Sequence, residues 1–153
     1  MTTEELVQIV NQVRSKTLAA IKLVDASLKK LESYDASRTY TPEEREPYDA
    51  LSDRFVRAVE VCIKFFRSYE LLQFAENSST LRDQLNRMEK LGIVTSTELW
   101  FQMWDVRNRI VHDYLPTEIK DLYDDLLGPL GAELQKTAGV IAALPLEETE
   151  DKP

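Results

Sequence analysis

The chain has 153 residues, 43% of them hydrophobic and 30% charged, so it is long enough for one domain with a sizeable core and too apolar to be disordered. One cysteine, Cys62, and one histidine, His112, exclude an internal disulfide and a zinc site built from Cys and His ligands. No apolar run is long enough to cross a bilayer and the polar start is not a signal peptide, so we expect a cytoplasmic protein without membrane contact.

The net charge of −8 is unevenly distributed, which limits where a nucleic acid can bind. Residues 113–153 carry a net charge of −7, whereas residues 53–112 carry +1. An acidic chain is a poor nonspecific binder of nucleic acids, because neutralisation of phosphates supplies most of that affinity. Any contact with RNA is therefore expected to be local and confined to the middle section.

The hydrophobic periodicity is helical along the chain, and the first two helices begin at clear capping signals. Thr2 and Glu5 can form a capping box, in which each side chain satisfies a free backbone amide of the other residue. The stretch ESYDASRTY then interrupts the pattern, and TPEE (41–44) starts a second helix with a cap of the same kind and a proline at the first helical position. This helix should run to about Phe74. Its apolar stripe consists of Phe55, Val59, Cys62, Phe66 and Tyr69.

The middle of the chain predicts a short third helix and a longer fourth one. LRDQLNRMEKLG predicts the third helix, which ends at its glycine. Thr95 and Glu98 predict another capping box at the start of the fourth helix. This helix should end near Tyr114, because Pro116 disfavours helical geometry at the residue before it.

A last helix is predicted over residues 117–143, bent at LGPLG because Pro129 lacks a backbone donor. Residues 145–153 form an acidic stretch that we expect to be a disordered tail, so the domain should comprise residues 1–144. The predicted fold is therefore an all-α, up-and-down bundle of four or five helices.

The fourth helix carries the sequence RNRIVHDYLP (107–116), whose polar residues lie on two different faces. On an ideal helix Arg107 lies in the centre of the most apolar face, where a guanidinium needs a carboxylate, a carbonyl or an anionic ligand. Arg107 and His112 lie about 140° apart around the axis and about 7.5 Å apart along it. Both can reach one small ligand only if the helix unwinds, if the arginine curls round, or if a second chain contributes.

A purely structural interpretation of the same residues is also open. Arg107 would then pair with an acid on a neighbouring helix, such as Glu60 or Glu70, and His112 would be an exposed residue at a helix end. Tyr114 would be a partly exposed residue at the rim, and both tryptophans would belong to the core.

The pattern of Arg107, Asn108, His112 and Tyr114 resembles the signature of the HEPN superfamily, most of all its HepT toxin branch and the sister branch that binds substrate for minimal nucleotidyltransferases. The approach to the motif, LRDQLNRMEKLGIVTSTELWFQMWDVRN, is similar to that group as well. The resemblance covers about residues 45–125 and adds little on the long first helix and the acidic tail.

The resemblance implies a helical bundle that forms a homodimer with the two motifs facing each other in a cleft. It implies a metal-independent endoribonuclease toxin with no cofactor, in which Arg107 and His112 are catalytic and Asn108 supports them. It further implies a minimal nucleotidyltransferase antitoxin as partner, with Tyr114 as the acceptor of AMP. The residue types suit this chemistry, because an imidazole transfers protons near neutral pH and a guanidinium donates a fork of hydrogen bonds to phosphate.

Four basic residues of the second helix lie within an arc of about 140° and could steer an RNA backbone towards the cleft, although each could equally belong to a solvated face. They are Arg54, Arg57, Lys64 and Arg67. Three hypotheses follow: a ribonuclease toxin acting on tRNA or mRNA, a non-catalytic HEPN module that binds nucleotide or a nucleotidyltransferase, and a plain helical adaptor.

Overall fold

In the computed structural model, residues 1–112 and 119–146 are described, and all regular secondary structure within them is helical. The all-α prediction is thereby confirmed. The helices are α1 (Thr3–Lys30), α2 (Pro42–Phe74), α3 (Leu81–Lys90), α4 (Thr97–His112), α5 (Ile119–Asp125) and α6 (Gly131–Ala143), with a π-helical turn (Leu126–Leu130) between the last two.

The first two helices start where the capping signals predict. The Thr2 hydroxyl accepts a hydrogen bond from the Glu5 amide, and the Glu5 carboxylate accepts one from the Thr2 amide. Thr41 and Glu44 make the same reciprocal pair at the start of α2, where Pro42 stands at the first helical position. Both ends agree with the prediction because capping boxes involve residues that are close in sequence.

The long helices alternate in direction, as contacts between distant residues show. Arg54 on α2 donates to the carbonyl of Leu23 on α1, whereas Tyr48, nearer the start of α2, donates to the carbonyl of Glu32, just after α1 ends. The two helices are thus antiparallel. The α4 side chain of Arg107 meets Glu60, and residues 110 and 111 approach residues 49–56, so α4 is antiparallel to α2.

The last helix returns along the first and completes the bundle. Arg14 on α1 donates to the carbonyl of Leu144, whereas Leu28 lies next to Gly131 at the other end of α6. The turn before α6 contains a kink at Gly128, whose φ of −107° and ψ of −115° are not helical. The predicted bend at LGPLG is therefore present, and it aligns α6 with α1.

The core lies between α1, α2, α4 and α6 and is rich in aromatic residues. Trp100 packs edge-on against Phe66 with the ring centroids 5.0 Å apart. All five residues of the predicted α2 stripe are buried. Cys62 is among them, and burial raises the pKa of its thiol well above the usual value, so it is not a nucleophile.

The predicted capping box at the start of α4 is wrong. Ser96 precedes the helix, and its hydroxyl accepts the hydrogen bond from the Leu99 amide. Thr95 instead gives its amide and its hydroxyl to Glu133 on α6. Glu98 points outward to Arg82 on α3. Thr95 does not cap α4 because it is hydrogen-bonded to Glu133, which is distant in the sequence.

The predicted end of α4 near Tyr114 lies outside the described residues, as does most of the predicted tail. Leu146, which the prediction placed in that tail, is buried and joins the hydrophobic core. The packed part of the chain therefore extends at least two residues beyond the predicted boundary at 144. None of the helices within the described ranges combines the length and the apolar character that crossing a membrane requires.

Candidate functional site

Arg107 is held between α4 and α2 by a carboxylate and an aromatic ring. Its Nε and Nη2 atoms donate to Oε1 of Glu60 at 3.0 and 2.5 Å. Its guanidinium carbon lies 4.9 Å from the centroid of the Trp104 ring, within the range of a cation–π contact. The Arg107 side chain is 20% exposed, so it is mostly buried but still accessible to a ligand from the solvent. Of the two acids considered from the sequence, Glu60 is the partner.

Asn108 supports the arginine from the next position of the helix. Nη1 of Arg107 donates to Oδ1 of Asn108 at 2.9 Å. A guanidinium carries five N–H donors, and three of them are engaged by Glu60 and Asn108. The other two donors have no hydrogen-bond partner within residues 1–112 and 119–146, so they are available to an anion, and the group is already oriented by Glu60 and Asn108.

His112 is the last residue of α4 and is exposed. Asn108 lies one turn before it, but the Asn108 carboxamide oxygen is directed to Arg107 instead. The motif tyrosine, Tyr114, lies outside the described residues. The imidazole of His112 is thus free to approach a ligand that comes from the solvent or from another molecule.

Within one chain the structure does not bring Arg107 and His112 to a common ligand. α4 is helical from Thr97 through His112, so the helix does not unwind between the two residues. The Arg107 side chain is directed to α2 and does not curl towards His112. Unwinding further along, before Pro116, falls on residues outside the described ranges. The routes to convergence that stay open are therefore that unwinding and the contribution of a second chain.

The four basic residues proposed to steer RNA divide into two pairs. Arg54 faces α1, where it donates to the Leu23 carbonyl at 3.1 Å and to the Ser27 hydroxyl at 2.8 Å. Arg57 forms an ion pair with Asp53 one turn earlier. Lys64 and Arg67 are exposed beside α4 and line an open groove of about 230 Å³. This basic groove is completed by Glu60, Ile63 and Trp104.

A second groove, of about 380 Å³, lies nearer the motif end of α4. Its α4 wall is formed by Ile110 and by Val111, which is 47% exposed. Its α2 wall consists of Asp49, Ser52, Asp53 and Val56. Val111 and the half-buried Ile110 together form an apolar edge of α4. No residue in the described part of the chain fully covers Val111.

The far side of α4 carries ordinary surface charges. Arg109 forms the predicted ion pair with Asp105 at 3.2 Å, and both side chains are exposed. Its other predicted partner, Asp113, lies outside the described residues. Arg109 also lies near Asp125 of α5, whose pKa is raised by partial burial and by the neighbouring Asp121 and Asp124, with Arg109 opposing the shift. Arg109 therefore belongs to a different surface from Arg107.

Sequence reasoning gave Glu60 as one of two candidate partners and missed the role of Trp104. The structural interpretation placed both tryptophans in the core, but Trp104 is only partly buried and lines the basic groove, whereas Trp100 is fully buried. The signal was present in the sequence, since Trp104 is one turn from Arg107. Across residues 1–112 and 119–146, no cluster of three His, Cys, Asp or Glu side chains is arranged to hold a metal ion.

No family model matches this chain, and no curated protein does. The HEPN resemblance accordingly rests on the motif residues and their position late in an all-helical chain, and the functions that it implies are proposals.

Proposed function

We propose that this protein is a metal-independent endoribonuclease of the HEPN type, acting on tRNA or mRNA at a site completed by a second copy of the chain. The observation that carries the proposal is the pairing of a preoriented guanidinium with an exposed imidazole at the end of the same helix. Two donors of Arg107 have no partner among the described residues, and His112 is exposed about 1.4 turns further along α4.

Arg107 would bind the scissile phosphate. A guanidinium that is held by other groups does not have to reorganise as negative charge builds on the phosphate oxygens, which is the main advantage of a preorganised site. Glu60 and Asn108 provide this orientation from two directions. Glu60 also offsets part of the positive charge, so the site would bind a phosphate without holding it too tightly.

His112 would move the proton. In cleavage without a metal, the ribose 2′-oxygen attacks phosphorus, an imidazole accepts the 2′-hydroxyl proton, and the bond from phosphorus to the 5′-oxygen breaks. The 5′-oxygen leaves with a proton, and the other product is a 2′,3′-cyclic phosphate. The two histidines of a dimer would supply the base and the acid. Dependence on the 2′-hydroxyl would restrict the enzyme to RNA.

The apolar edge at Ile110 and Val111 is the surface on which we propose that two copies meet. It adjoins His112, so a two-fold contact there would place two motif ends side by side. Burying Val111, which is 47% exposed, would also add favourable apolar contact. The same contact would supply a second chain, one of the routes by which Arg107 and His112 could converge on one ligand.

The proposal is tested by RNA cleavage in the presence of EDTA. His112→Ala and Arg107→Ala should each reduce the cleavage rate at least about 100-fold, the usual effect of removing a general acid–base group or a charge-stabilising donor. Arg109→Ala is the matched control, because it removes an arginine from the same helix but from the opposite surface, and it should cleave like the wild type. Circular dichroism establishes that all variants are folded. Undiminished cleavage by both motif variants would refute the proposal.

A second candidate is a non-catalytic HEPN module that binds nucleotide or a nucleotidyltransferase. The net charge of −8 and the engagement of Arg107 by Glu60 within a single chain favour it. Absence of cleavage by the wild type, together with saturable binding of ATP or of the partner, would select this alternative.

We further propose that a minimal nucleotidyltransferase acts as the antitoxin by transferring AMP to Tyr114. Tyr114 lies two positions after His112 in the sequence, so a bulky anionic adduct there would crowd the substrate phosphate and repel it. Intact mass after incubation with ATP and the partner should rise by one or more AMP units. A mass gain that persists in Tyr114→Phe would show that another residue is the acceptor.

A further inference from the structure

The basic groove lined by Glu60, Ile63, Lys64, Arg67 and Trp104 adjoins Arg107, which contacts both Glu60 and Trp104. Its cations Lys64 and Arg67 and its indole have no part in the cleavage chemistry described above. Its volume of about 230 Å³ is below the roughly 300–1,000 Å³ of typical small-molecule pockets, and it is open to solvent. It therefore suits a segment of a longer molecule that passes across the surface better than an enclosed small ligand.

The charges around the groove are positive, in contrast to the chain as a whole. Lys64 and Arg67 are exposed and have no ion-pair partner anywhere in residues 1–112 or 119–146. Glu60 contributes a carboxylate, but Arg107 neutralises it. Two uncompensated cations thus lie side by side on a protein whose net charge is −8. Such a local concentration of positive charge attracts a polyanion to this position.

The aromatic surface of the groove comes from Trp104. This residue is partly exposed, and the Arg107 guanidinium lies against its ring. Proteins that bind single-stranded nucleic acids combine a cationic track for the backbone with aromatic side chains on which bases stack. Trp104 between Lys64, Arg67 and Arg107 has this composition, and a duplex would not offer an unstacked base to it.

From this juxtaposition we infer that the groove binds single-stranded RNA, with one base against Trp104 and the adjoining phosphates on Lys64 and Arg67. This inference deepens the proposed function and rests on it for the identity of the ligand. Trp104 is one turn from Arg107, so the bound base would belong to a nucleotide close to the scissile phosphate. The groove would then align the strand before cleavage, and RNA without an unpaired base at that position would be a poor substrate.

Binding can be measured apart from cleavage with a short, labelled, single-stranded 2′-O-methyl RNA, because blocking the 2′-oxygen prevents its attack. Fluorescence anisotropy with the full-length protein at low salt should give saturable binding. Trp104→Leu should weaken this binding about tenfold, the scale of one lost base–aromatic stack, whereas Trp104→Phe should remain close to the wild type. The conservative variant separates loss of stacking from loss of folding.

The cationic track is tested by the double charge reversal Lys64→Glu with Arg67→Glu. It should weaken binding at least tenfold at low salt and reduce the slope of log affinity against log salt by about 1.4, the value for two phosphate contacts on a single strand. The matched control reverses Lys16 and Lys22, two exposed lysines of α1, and changes the net charge equally. It should change affinity much less.

The outcomes are separable from those of the proposed function. Binding that depends on Trp104 and the two cations supports the groove even if natural RNA is not cleaved. No binding by the wild type, equal loss in the α1 control, or equal affinity for Trp104→Leu and the wild type would overturn the inference, whatever the cleavage assay shows.

Discussion

The two ends of α4 differ sharply in how they are held. At its start, the Thr97 amide donates to Glu89 at 3.0 Å and the Thr97 hydroxyl donates to Asn86 at 2.7 Å, which fixes the helix to α3. Glu133 on α6 then accepts from both donors of Thr95 and from the indole nitrogen of Trp100. This end is thus connected to two other helices by polar contacts that are buried or partly buried.

At the other end of α4, the side chains of Ile110, Val111 and His112 make no such hydrogen bond with residues that the structure describes. Val111 and His112 are exposed, and Ile110 is only partly buried. Arg107, more than one turn before His112, donates from its side chain to Glu60 on α2. α4 is therefore anchored at its start, whereas its last turn (residues 109–112), the presented end, is open to solvent. His112 of the motif occupies the presented end, where a substrate or a second copy has access.

The largest effect on stability is expected at the anchored end. Glu133→Ala would leave the buried Trp100 indole without its acceptor, and an unsatisfied buried donor costs about 1–3 kcal/mol. It would also remove the acceptor of both donors of the exposed Thr95, and a hydrogen bond of that kind contributes about 0.5–1.5 kcal/mol. We expect the free energy of unfolding to fall by about 3 kcal/mol, measured by urea denaturation. Glu98→Ala is the control at the same end, because its ion pair with Arg82 is exposed, and it should have little effect. Equal losses in both variants would contradict the anchoring role of Glu133.

A smaller loss in the free energy of unfolding is expected at Gly131, where α6 comes close to α1. A β-carbon at Gly131 would lie 2.5 Å from the Leu126 carbonyl oxygen and 2.8 Å from Leu28 Cδ1, so Gly131→Ala forces backbone to move. We expect a loss of about 2 kcal/mol in the same assay. Gly139→Ala is the matched control on α6, since a β-carbon there meets nothing within 4 Å, and it should stabilise the protein by roughly 0.5–1 kcal/mol. A neutral Gly131→Ala would show that α6 can shift away from α1.

The smallest effect on the free energy of unfolding is expected at the presented end, for His112→Ala. His112→Ala removes an exposed side chain with no hydrogen-bond partner in the described part of the chain, so the free energy of unfolding should change by no more than about 0.5 kcal/mol. Its loss of cleavage would then be chemical rather than structural. Destabilisation comparable to that of Glu133→Ala would show instead that His112 is part of the packing.

Local sequence signals were sufficient for most of the helix boundaries. The caps at Thr2 and Thr41 form because both partners lie within one turn, and the bend at LGPLG follows from the chemistry of proline. The cap at Thr95 failed because its donors bind Glu133, which is 38 residues away in the sequence. A pattern of neighbouring residues contains no information about such a contact.

The candidate site shows the same limit. The motif and the need of Arg107 for an acid followed from the sequence, but the choice of Glu60 over Glu70 depended on packing. Glu70 is fully buried and accepts from Ser78, which leaves Glu60 on the face of α2 that α4 covers. The helical wheel also could not predict that Arg54 faces α1 while Lys64 and Arg67 line the groove. A wheel does not show which neighbouring helix packs against each face.

The most direct test of the central claim, that the presented end of α4 forms a ribonuclease site only when two copies meet, is the specific rate of RNA cleavage in EDTA as a function of protein concentration. Light scattering on the same samples gives the fraction of dimer. If two copies form the site, the rate per chain should rise in proportion to that fraction, and no cleavage should occur in His112→Ala at any concentration. A rate per chain that is constant across samples containing mostly monomer, or cleavage that is undiminished in His112→Ala, would contradict it.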